Sequence, residues 1–109
     1  METGVKSLKN FIGGRFVEPA SGELYDVVNP STGEVFARAP MSGEEDVDRA
    51  FGAAAKAFEE WRESTPSERQ RALLRIADRI EERAEELVRA ECENTGKPYA
   101  LTLEDEIPP

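Results

Sequence analysis

Cys92 is the single thiol of the chain, which has no histidine. A thiolate nucleophile needs a base or a positive environment to form and be held. The sequence neighbours of Cys92 are Glu91 and Glu93, which are anionic. Cys92 also follows Val88 by four residues and Ala84 by eight, on the apolar side of a helical pattern, so a packing role is the favoured reading. Arg71, Arg75, Arg79 and Arg83 recur at steps of four and could hold a phosphate. Glu68, Asp78, Glu82, Glu85 and Glu86 are interleaved with them, and Glu85–Arg89 has the favourable order for an i,i+4 pair. A solvated, ion-paired helix face is favoured. Gly13-Gly14 invites a nucleotide-loop reading, but neither GxGxxG nor GxxxxGK[ST] occurs in the chain. Glu104-Asp105-Glu106 could attract a cation or an amine, although such a run near a chain end is usually just solvated.

These counts exclude several kinds of site. Without histidine, no Ser–His–Asp or Cys–His triad, zinc finger or His-ligated haem can form within the chain. With one cysteine, neither a four-cysteine metal site nor an internal disulfide can form. The 109 residues carry 14 Lys+Arg against 23 Asp+Glu, a formal charge of −9, which argues against nucleic acid or an anionic membrane as partner. No apolar run approaches the ~20 residues that span a bilayer. The stretch from Met1 to Asn10 lacks the apolar segment of a secretory signal. Asn29-Pro30-Ser31 is not a glycosylation acceptor, because proline fills the middle position. A cytoplasmic address is expected.

The elements that must carry these residues fall into two halves. Residues 9–39 read as two β-hairpins. Phe11-Ile12 and Arg15-Phe16-Val17 flank Gly13-Gly14, a pair that suits a two-residue turn with positive φ at both positions. Pro19 and Ser21-Gly22 end that hairpin. Leu24–Val28 and Glu34–Ala39 then flank Asn29-Pro30-Ser31-Thr32-Gly33, in which Pro30 presets a turn φ, Asn29 can bond the backbone that follows, and Gly33 closes the loop.

Residues 43–63 and 66–94 read as two helices. The first is expected to start at Ser42-Gly43-Glu44-Glu45, with Ser42 accepting from an orphan N–H and Glu45 reaching back. Val47, Ala50, Phe51, Ala54, Phe58 and Trp61 form its apolar stripe. The second starts at Thr65-Pro66-Ser67-Glu68, with Thr65 as cap, Pro66 at the first helical position and Glu68 completing the box. Its stripe is Leu73, Ala77, Ile80, Ala84, Leu87 and Val88, and it is expected to end at Gly96-Lys97-Pro98. Residues 99–109 read as the start of a further helix. On these grounds alone the chain is a small α+β unit without a complete active site.

The order of the motifs resembles the N-terminal segment of the NAD(P)-dependent aldehyde dehydrogenase superfamily. The matching stretches are Asn10-Phe11-Ile12-Gly13-Gly14-Arg15-Phe16 and Asn29-Pro30-Ser31-Thr32-Gly33-Glu34-Val35. Asp46-Val47-Asp48-Arg49-Ala50 follows, with Ala53-Ala54, Ala57-Phe58 and Trp61. The last are Pro66-Ser67-Glu68-Arg69, Leu73-Leu74, Ile76-Ala77-Asp78 and Thr95-Gly96-Lys97-Pro98. The stretch from Asn94 to Pro108 is similar to the branch that acts on 4-aminobutyraldehyde, betaine aldehyde and related aminoaldehydes.

The resemblance implies an α/β fold of the aldehyde dehydrogenase type, with residues 1–109 as an incomplete N-terminal part of the Rossmann-like cofactor-binding domain. It implies oxidation of an aldehyde to a carboxylate through a thiohemiacetal on a cysteine, with hydride passing to NAD or NADP and a glutamate activating water. It implies homo-oligomers, dimers or tetramers. The family's nucleophile, base, oxyanion asparagine and nucleotide-contacting loops are expected beyond Pro109, so neither a catalytic nor a cofactor-binding residue is assigned here and Cys92 does not match the nucleophile. Two lesser sites carry over. A monovalent-cation site matches Val27, Val28 and Asn94, with an amide where the family has a carboxylate. A substrate-entrance acid matches Asp105 or Glu106. The leading expectation is an N-terminal fragment, inactive alone. The alternative is a free-standing helical interaction module that docks on an intact relative, and a generic helical hairpin is a third reading.

Overall fold

The computed structural model describes residues 4–107. Met1 to Thr3, at the head of the stretch read for a signal, and Pro108-Pro109, the last residues of the expected further helix, lie outside the described residues. Five strands and four helices follow in the order β1 (Lys6–Ser7), β2 (Asn10–Ile12), β3 (Arg15–Val17), β4 (Leu24–Val28), β5 (Val35–Pro40), α1 (Glu44–Trp61), α2 (Pro66–Glu82), α3 (Ala84–Thr95) and α4 (Tyr99–Asp105). They form two compact units, Met1–Val28 with Val35–Glu63 and Asn29–Glu34 with Ser64–Pro109.

In the first unit, β2 and β3 pair antiparallel with Ile12 opposite Arg15. That register leaves two turn residues, Gly13 and Gly14, at φ +62° and +80°. Both angles lie where a Cβ is costly and glycine is not. Phe11 and Phe16 face each other across the pair, with ring centroids 5.1 Å apart in an edge-to-face arrangement. β4 and β5 pair antiparallel, with an irregularity between Val27 and Val28, and β1 adds in parallel to the other side of β5. The central position of β5 explains why Ala37 is 1% exposed.

Helix α1 starts one residue later than the Ser42–Glu45 reading places it. Gly43 is the N-cap, and its N–H donates to Asp46 Oδ2 at 3.0 Å. The Ala20 N–H donates to Asp46 Oδ1 at 2.9 Å, so one carboxylate serves the helix start and a turn 26 residues earlier. Ser42 is drawn off the cap because its hydroxyl accepts from Asn10 Nδ2 at 2.8 Å, and Glu45 pairs with Arg49 instead of reaching back.

In the second unit, α2 begins as its sequence dictates. The Glu68 N–H donates to Thr65 Oγ1 at 3.2 Å and the Thr65 N–H donates to Glu68 Oε2 at 2.9 Å. The expected single helix over 66–94 is two helices. Arg83 leaves helical geometry at φ −108° and ψ 22°, where its guanidinium forks onto Glu86 at 2.9 and 2.6 Å. This break starts α3 afresh, and α3 packs against α4, burying Val88 at 1% exposure and Thr102 at 4%. Gly96 ends α3 at φ +79° and donates its N–H to Cys92 O at 2.8 Å.

The buried apolar side chains among the described residues are few: Pro19, Ala37 and Val88. The apolar stripes of α1 and α2 lie open: Phe51 is 72% exposed and Leu73 is 65%.

Candidate functional site

The residues that the sequence marks as special converge at the end of α3. Asn29 Oδ1 accepts from the Ser31 N–H at 2.9 Å, and Asn29 O accepts from the Gly33 N–H at 2.7 Å. Those bonds shape the turn that presents Pro30. A Cβ placed on Gly96 would lie 3.1 Å from Pro30 Cγ and 3.6 Å from Ser31 Oγ. Gly96 is therefore required twice, for its left-handed backbone and for the space that Pro30 occupies.

Lys97 follows directly. Its Nζ lies 2.6 Å from Glu106 Oε1 and 3.2 Å from Glu91 Oε1. The hydrogen bond donated to Glu106, and then that donated to Glu91, holds the ammonium above the usual lysine value. Thr102 Oγ1 donates to Pro98 O at 2.7 Å and fixes the first turn of α4 from inside. Sequence reading missed the Lys97 clamp. Its partners lie six residues before and nine after, which is not a local helical spacing.

Each site residue expected from the sequence can now be placed. Val27 and Val28 are the last two residues of β4 in the first unit, and Asn94 is exposed near the end of α3 in the second. Asp105 is the last residue of α4 and is exposed, while Glu106 caps that helix with its carboxylate held by Lys97. Cys92 is a free, half-buried thiol on α3. Of the arginine row, Arg79 pairs with Glu82 at 3.5 Å and Arg83 with Glu86 at 2.6 Å, while the Glu85–Arg89 pairing does not form. Arg75, Arg79 and Arg83 edge an open apolar groove floored by Ala72, Ile76, Ile80 and Leu87.

This arrangement can position chain segments. Among the described residues, no group of three or more Asp, Glu or Cys is placed to hold a metal ion. Gly13-Gly14 is the two-residue turn of the β2–β3 hairpin, not a nucleotide loop. No helix among the described residues is long and apolar enough to cross a membrane.

A sequence profile described as the aldehyde dehydrogenase family matches residues 16–109. The chain belongs to the aldehyde dehydrogenase family. Among curated relatives, it is 45% identical over 100 residues to a long-chain-aldehyde dehydrogenase of Acinetobacter sp., covering 92% of this chain and 20% of the relative. It is 44% identical over 105 residues to the 2-aminomuconic semialdehyde dehydrogenase of Bos taurus, covering 96% and 21%. Among solved structures, the NAD+ complex of an aldehyde dehydrogenase from Bacillus cereus superposes with a TM-score of 0.89 at 41% identity, covering 94% of this chain and 21% of that one. The chain thus spans about a fifth of the length of the family members it matches. Its hairpins and helices have the aldehyde dehydrogenase fold of that segment.

Proposed function

We propose that this chain is the N-terminal part of the cofactor-binding domain of an NAD(P)-dependent aldehyde dehydrogenase and has no dehydrogenase activity by itself. The whole enzyme would oxidise an aldehyde to a carboxylate and reduce NAD(P), as a homo-oligomer in the cytoplasm on the sequence grounds given above. The reading is carried by the agreement of this chain's fold with one fifth of an NAD+-complexed family enzyme. On this reading the nucleophile, the base and the dinucleotide-contacting loops belong to other segments of the enzyme. The work of this chain's own residues is to shape the hairpins and helices against which those segments pack. Incubating the purified chain with NAD and 4-aminobutyraldehyde, and following NADH absorbance, is expected to show no turnover. Appreciable turnover would sink the proposal.

An aminoaldehyde is the proposed substrate class of the whole enzyme. It is supported by the acidic end of α4, where the Lys97 clamp engages Glu106 and leaves Asp105 as the carboxylate able to attract an ammonium group. The proposed cation site takes the backbone oxygens of Val27 and Val28 and the amide oxygen of Asn94. This donor set is neutral and suits a weakly held monovalent ion. A second reading, an interaction module that docks on an intact relative, is favoured by the open apolar faces of α1 and α2. Co-purification with a full-length relative at defined stoichiometry tests it.

A further inference from the structure

We draw no further inference here: the strongest candidate, the open apolar groove along α2 floored by Ala72, Ile76 and Ile80 and edged by Arg75, Arg79 and Arg83, is an unpartnered helix face, and nothing in the structure shows what covers it.

Discussion

Helices α1 and α2 meet the same requirement at their N-termini with different parts. Each must satisfy backbone N–H groups that have no partner within the helix. Helix α2 uses Thr65 and Glu68, three residues apart, each bonding the other's backbone. Helix α1 uses Asp46, one carboxylate that accepts from Gly43 within its own first turn and from Ala20 far back in the chain. The start of α2 is self-contained. The start of α1 is also the fastening of the β3–β4 connection. The end of α3 belongs with α1 in this respect, because Gly96 leaves room for Pro30 of a distant turn.

Removing the remote fastening should do the most damage. Asp46→Ala strands two N–H groups at once and should lower the melting temperature by about 15 °C. Asp46→Asn, which keeps an acceptor oxygen, should lower it less. The same carboxylate sets a pH dependence. Hydrogen bonds from Gly43 and then Ala20 hold its folded pKa below the ordinary aspartate value. Its stabilisation is therefore complete above the ordinary aspartate pKa and is lost as pH falls through the folded value. A pH titration of thermal stability should show this acid-side loss in the wild type and a flatter curve in Asp46→Asn. An equal loss in both would break the distinction between the two caps.

Gly96→Ala is next, at about 2 kcal/mol, from left-handed strain together with the approach to Pro30. Gly33→Ala has a similar positive φ but open space around it, and should cost about 1 kcal/mol. The difference, read by urea denaturation, isolates the contact with Pro30; equal costs would show that the contact contributes nothing.

Thr65→Ala should cost about 1 kcal/mol, the usual value of a local cap. Amide exchange should speed most in the first turn of α2. Lys97→Met should have the smallest effect, because its ion pairs are partly exposed. It should speed amide exchange in α4 without moving the global transition. The raised Lys97 pKa means that this tie is present below the ordinary lysine value and is lost as pH rises through the folded one.

The same contrast explains what could be read from the sequence. The two-residue turn at Gly13-Gly14, the Asn29–Gly33 loop, the Thr65–Glu68 box and the Gly96 cap were all legible, since each is settled within about five residues. The shift from Ser42 to Gly43 was not, because it depends on Asn10 drawing Ser42 away and on Ala20 reaching Asp46. Nor was the break at Arg83, where neither glycine nor proline marks the chain. At that break Arg83 forks onto Glu86, and α3 then packs against α4. Strand β1 escaped for the same reason: two residues have no periodicity, and only β5 gives them a place. Of the candidate site, the turn and the cap were visible as motifs, while the Lys97 clamp needed α4 to be folded back beside α3.

Segment exchange tests the central claim most directly. The 109 residues would replace the matching first fifth of the Bacillus cereus aldehyde dehydrogenase, and NADH formation from an aldehyde would be followed. The account predicts a chimera that turns over substrate, with this chain supplying the N-terminal part of the cofactor-binding domain. A folded chimera of the parent's oligomeric size that forms no NADH would contradict it.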